Sequence, residues 1–105
     1  MNAATRLSLS DPDLWRQQAL IDGRWCAADG GATCAVHDPA DGLALGTVPD
    51  MGAAETRRAI AAAHAAFPAW ARQTAKARAR ILRRIADLMA QHQEDLARLM
   101  TAEQG

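Results

Sequence analysis

"TAKARARILRRIADLMAQHQEDLARLMTAEQG", residues 74–105, decides the architecture. Ile81, Leu82, Ile85, Leu88, Met89, Leu96, Leu99 and Met100 recur at three- and four-residue steps. That spacing stacks side chains on one side of an α-helix. Thr74 stands where the first turn needs an acceptor for its free amides. The pattern predicts helix over 75–104, with a break or kink near Gln91–His92 because the run is long for a globular helix. Gly105 follows as a stop residue. Arg83 and Arg84 lie four and three residues before Asp87, within reach of local ion pairs worth only about a few tenths of a kcal/mol.

Working outward, "AAETRRAIAAAHAAFPAW" (53–70) carries a second helical pattern. Gly52 opens it, and Glu55 in the first turn suits the positive helix end. Ile60, Ala63, Phe67 and Trp70 predict one buried face, with Arg57 and Arg58 on the other and His64 a core or boundary histidine. Pro68 predicts that this helix covers 53–67 and that a separate turn follows through Trp70.

Before the helices the period changes. "QALIDGRWCAADGGATCAVHDPADG" (18–42) predicts a β-hairpin over about 18–38, its strands joined around Gly30-Gly31, with Pro39 and its neighbours ending the second strand. Cys26 and Cys34 would then be cross-strand neighbours: two semi-buried reduced thiols, with a redox pair as the alternative. Residues 43–52 form a further extended piece. Residues 1–13 read as an N-terminal arm, loose over 1–10, in which Ser10 or Asp11 caps a short turn begun by Pro12 and seats Leu14 and Trp15.

Half of the 105 residues are hydrophobic, but 26 of these are Ala; Leu, Ile, Val and Phe together number 17. Burying a large apolar side chain stabilises by roughly 1.5–3 kcal/mol and Ala far less. Such a chain builds a thin core alone and suits packing against a larger body. Residues 1–55 carry eight acids and three arginines, and residues 56–105 carry nine bases and four acids, so a neutral chain has halves of −5 and +5. The run Arg72, Lys76, Arg78, Arg80, Arg83 and Arg84 lacks interleaved aromatics or a reading motif, so no nucleic-acid partner is expected. No apolar stretch approaches a membrane span, and no secretory leader is visible, which predicts a cytoplasmic protein with reduced thiols.

No catalytic constellation is legible. No glycine spacing makes a Rossmann or Walker loop. No cysteine has a helix N-terminus or obvious cation to lower its pKa. Cys34 and His37, three apart on a strand, point to opposite faces, and Glu94 and Asp95 diverge on a helix. The expected catalytic, cofactor-binding and metal-ligating residues are therefore none.

Four collinear segments carry more. "LWRQQALIDGRW" (14–25), "DPADGLALGTVPDMGAAETRRAIAAAHAAFPAW" (38–70), "TAKARARILRRIADLM" (74–89) and "HQEDLARLMTAEQG" (92–105) resemble the start of the aldehyde dehydrogenase superfamily. Within it they resemble the bacterial NAD(P)-dependent succinate-semialdehyde dehydrogenases. The resemblance implies an α/β parent fold with a Rossmann-type cofactor domain, of which residues 14–105 are an incomplete N-terminal part: a β-hairpin plus two or three Ala/Leu-rich helices whose stripes pack on strands outside this stretch. It implies oxidation of succinate semialdehyde to succinate with NAD or NADP by the parent enzyme. The nucleophile, the general base and the cofactor contacts would lie in later segments, leaving these 105 residues inactive and without cofactor alone. Partners would be the rest of such a chain or homologous subunits. A non-catalytic helical module, or a remnant docking on a larger partner, is the alternative. In many relatives a structural monovalent cation is held by a backbone oxygen near the position of His37 and an acid at that of Glu103; "AVHDP" departs from the commoner Val-Asn-Pro there.

Overall fold

A computed structural model describes residues 7–105. Strand β1 (Ala19–Ile21) pairs antiparallel with β2 (Arg24–Cys26), Leu20 opposite Trp25. The two residues between them, Asp22 and Gly23, both have positive φ, 53° and 72°. Two such residues in succession turn the chain with the twist that a two-residue hairpin needs, and Asp-Gly favours it.

This turn corrects the expected hairpin around Gly30-Gly31. Strand β3 (Thr33–His37) pairs with β4 (Ala44–Pro49) instead, giving two separate two-stranded sheets. The physical reason is proximity: Asp22-Gly23 returns β2 onto β1 at once, and residues 27–32 only connect the sheets. Cys26 consequently faces Ala19, and Cys34 faces Val48. A bulge between Val36 and His37 leaves Leu45 as the extra residue on β4. The β3–β4 loop uses the turn chemistry read from the sequence: Asp38 Oδ1 accepts the Ala40 N–H and Asp41 Oδ1 that of Leu43, both at 2.9 Å.

Helix α1 spans Ala53–Arg72 from an N-cap at Gly52 and includes Pro68. The expected stop at residue 67 is corrected. Proline's fixed φ is itself helical, so its cost is one lost hydrogen bond and a clash one turn back. The helix bears that cost with one more turn to Arg72, after which Gln73 is extended. Helix α2 (Ala75–Gln91) begins as read, with Thr74 Oγ1 accepting the Ala77 N–H at 3.1 Å. The break falls at His92, and α3 runs Gln93–Gln104.

Ahead of the sheets, a 3-10 turn covers Pro12–Leu14, capped by Asp11. The described part of the expected loose arm is docked: Ser10 and Asp11 donate their backbone amides to Asp95, and Arg98 donates to the Ser8 carbonyl. Residues 1–6 of that arm lie outside the described residues.

Among the described residues the buried apolar side chains are Ala28, Leu45 and Ala102. The expected buried face of α1 is turned outward, with Ile60 and Phe67 each 63% exposed. Its Ala59, Ala62, Ala63 and Ala66 line a cleft shared with Leu20 to Gly23 of the first hairpin. His64, read as a core or boundary residue, is exposed; Trp70 is half-buried. On α2, Ile81, Leu82, Ile85 and Met89 are exposed as well.

Candidate functional site

Among the described residues two carboxylates are buried, and both hold backbone. Glu55, three residues into α1, reaches back to the Gly52 N–H and across to the Asp29 N–H, each at 3.3 Å. It thereby joins the helix start to the sheet connector. Arg58, one turn on, pairs with the Asp29 side chain. That hydrogen bond and charge raise the Arg58 pKa above its ordinary value.

Asp95 sits in the first turn of α3 and is 3% exposed. Its Oδ1 accepts the Ser10 N–H at 2.8 Å and its Oδ2 the Asp11 N–H at 2.9 Å. These two bonds, Ser10 first, hold its pKa below the ordinary carboxylate value. Amide donors favour the ionised form of a carboxylate. Sequence reasoning gave Asp95 no role. An acid in a helix's first turn is the available signal, but that signal points to its own helix rather than to residues 85 positions away. Glu94 is exposed and does diverge from it.

On the first hairpin Arg16 lies over the Trp25 ring, 4.6 Å from its centroid. Cys26 is half-buried with its thiol toward the Arg24 carbonyl, and Cys34 is exposed; both are free. The redox pairing that a shared hairpin would have allowed is not formed. Lys76, Arg80, Arg83, Arg84 and Asp87 line one side of α2. That side is opposite the apolar stripe by helical spacing. His37, at the end of β3, and Glu103, near the end of α3, are both exposed. The end of α3 reaches the loop after His37, where Gly105 meets Pro39 and Ala40. Among the described residues no three His, Cys, Asp or Glu side chains group as metal ligands do. No helix of the described residues is long and apolar enough to cross a membrane.

A dinucleotide cradle needs free backbone amides at a glycine-rich helix start. The glycine that opens α1, Gly52, already gives its amide to Glu55. The start of α1 therefore does not form such a cradle.

Comparison with known proteins places this arrangement. The family model described as aldehyde dehydrogenase family matches residues 25–105. Over 99 residues, 94% of the chain, it is 60% identical to glutarate-semialdehyde dehydrogenase of Pseudomonas aeruginosa. Over the same length it is 59% identical to 3-sulfolactaldehyde dehydrogenase of Pseudomonas putida. It is 58% identical to the NADP-dependent succinate-semialdehyde dehydrogenase of Escherichia coli. A crystal structure of an Escherichia coli NADP-dependent enzyme superposes with a TM-score of 0.91 at 59% identity, over 92% of this chain and 20% of that one. The chain spans about a fifth of the length of the curated relatives it matches.

Proposed function

Because this chain belongs to the aldehyde dehydrogenase family, we propose that it is the N-terminal part of an NAD(P)+-dependent enzyme that oxidises succinate semialdehyde to succinate. The observation that carries this is identity of 58% to a succinate-semialdehyde dehydrogenase along 94% of the chain. The three relatives act, by name, on three substrates with one chemistry in common: a short aldehyde bearing an anionic group at its far end. Glutarate semialdehyde is the second reading, favoured by identity of 60%.

These residues supply scaffold to that activity. They contribute capped helices, two sheets and buried carboxylates that tie distant backbone together, and the reacting groups belong to other segments. The outward stripes of α1 and α2 are covered, in this reading, by the rest of such a chain or by homologous subunits. Its setting is the cytoplasm, where both thiols stay reduced.

The test is to express the protein encoded by the whole reading frame that contains these residues. NAD+ and NADP+ reduction is then followed with succinate semialdehyde, glutarate semialdehyde and sulfolactaldehyde. The expected result is the highest kcat/KM with succinate semialdehyde. A higher value with either of the others replaces the substrate, and absence of aldehyde oxidation overturns the reading.

A further inference from the structure

Three Asp-Gly pairs occur in the chain: Asp22-Gly23, Asp29-Gly30 and Asp41-Gly42. Such a pair can react with itself. The glycine nitrogen attacks the aspartyl carboxyl carbon, and glycine has no side chain to crowd the approach. The reaction needs both groups at liberty, and the three pairs differ in that respect.

At the second pair, Arg58 holds the Asp29 carboxylate in an ion pair. At the third, Asp41 Oδ1 accepts the Leu43 N–H, and the attacking nitrogen, that of Gly42, donates to the Asp38 carbonyl at 2.8 Å. At the first pair neither group is engaged. Among the described residues the Asp22 carboxylate has no ion pair or hydrogen bond, and the Gly23 N–H has no acceptor. Both residues are exposed, and nothing lies within 4 Å of where a Gly23 side chain would start.

The sheet that holds this pair is also the shorter one. Strands β1 and β2 share three residue pairs and form a sheet of their own, whereas β3 and β4 share five. A two-stranded hairpin by itself is marginally stable, so its turn opens locally long before the molecule unfolds. In opening, Asp22 also leaves a φ of 53°, a conformation that residues with a side chain seldom adopt.

We propose that Asp22-Gly23 is a site of self-modification, where aspartate converts to isoaspartate as the protein ages. The Gly23 nitrogen bonds to Cγ of the protonated Asp22 carboxyl. The Cγ–O bond breaks, and the departing hydroxyl leaves with the amide proton as water. A second water opens the cyclic imide. Attack at Cγ restores aspartate; attack at the Asp22 main-chain carbonyl carbon leaves the backbone running through Cβ and Cγ. One water is lost and one regained, and no other reagent is consumed. The rerouted backbone is longer between Ile21 and Arg24, the pair that the two-residue turn joins, and such a turn tolerates little change in length. The β1–β2 register loosens, and with it the wall that Leu20 to Gly23 present to the alanines of α1.

The test ages the protein encoded by the whole reading frame in heavy-oxygen water at mildly acidic pH, folded and, in parallel, unfolded in urea. Trypsin releases Gln17–Arg24, which holds the Asp22 pair alone, and Trp25–Arg57, which holds the other two. Mass spectrometry locates the incorporated oxygen, and synthetic Asp and isoAsp forms of Gln17–Arg24 identify the product. In urea the three pairs should react at similar rates. In the folded protein Asp22 should react several-fold faster than Asp29 and Asp41 and yield isoaspartate. Folding that slows Asp22 as much as the other two overturns the proposal, as does oxygen uptake at Asp22 without isoaspartate. R58A should raise the reaction at Asp29 while Asp41 stays slow. An Asp29 unmoved by R58A overturns the held carboxylate as the cause of the difference.

Discussion

Asp95 Oδ1 accepts the backbone N–H of Ser10 at 2.8 Å across 85 residues of sequence, so the start of α3 is where the N-terminal segment is fastened. The neighbouring oxygen holds Asp11, and Arg98, one turn on, holds the Ser8 carbonyl. A carboxylate that is 3% exposed and receives two amides cannot be exchanged for water without releasing the segment.

The pH dependence follows from the lowered pKa of Asp95. A depressed carboxylate contributes stability that is present above its unfolded value and lost as pH falls through its folded value. In the protein encoded by the whole reading frame, amide exchange at Ser10 and Asp11 should stay slow through neutral and mildly acidic pH. Protection should be lost only below the ordinary carboxylate range. D95A should raise exchange there by about tenfold or more at neutral pH. D95N should fall between, because one oxygen is replaced by a group that cannot accept. Release as pH rises through neutrality would contradict the assignment.

Gly46 occupies a place no larger residue fits. A Cβ there would lie 2.5 Å from Gln17 Oε1 and 2.8 Å from Trp15 Cζ2. Gln17 is not free to withdraw, since the same oxygen accepts the Thr47 N–H at 3.0 Å. G46A should destabilise the whole protein by about 1–3 kcal/mol, the usual cost of overpacking. Urea unfolding checks it, and G46A/Q17A should recover part of the loss if the contact is the cause.

These contacts show which parts of the fold the sequence discloses. Thr74, Gly52, Asp11 and the break at His92 act through neighbours within four residues, so local chemistry locates them. Asp95 bonding Ser10 and Gly46 facing Trp15 depend on contacts between distant segments, which no periodicity encodes. The misplaced hairpin shows the limit most sharply. Two turn signals, Asp22-Gly23 and Gly30-Gly31, compete, and the shorter closes the first sheet. The α1 stripe is apolar, as its spacing says, yet Ile60 and Phe67 are exposed, since spacing tells which side is apolar and not what lies against it. For the candidate site, the buried carboxylates are not legible, because Glu55 and Asp95 accept amides from segments far away in sequence.

The corrected strand pairing gives the two thiols different fates. Cys34 lies on β3, exposed and opposite Val48; Cys26 is half-buried on β2 opposite Ala19. In the protein encoded by the whole reading frame, a maleimide should modify Cys34 several-fold faster than Cys26 at neutral pH, since reagent reaches the exposed thiol more readily. Mass spectrometry of tryptic peptides reads both sites. Rapid formation of a Cys26–Cys34 disulfide under mild oxidation would instead restore the single-hairpin arrangement.

Pro68 offers a test of α1 itself. Helix α1 continues through it to Arg72, so the position lacks the N–H that would bond the His64 carbonyl, and the ring crowds that carbonyl. Alanine in a helix interior is favoured over proline by about 3 kcal/mol. Proline returns about 0.4–1 kcal/mol by stiffening the unfolded chain. P68A should therefore stabilise the whole protein by about 2 kcal/mol, read as a higher urea midpoint with unchanged slope. If the helix instead ended at Phe67, residue 68 would have no such bond to regain, and P68A would be neutral or destabilising through the freer unfolded chain alone. A69P supplies the opposite sign: it removes the bond to the Ala65 carbonyl and adds a second clash in the same turn. It should unravel Ala69 to Arg72, freeing the half-buried Trp70 and raising its fluorescence quenching by acrylamide.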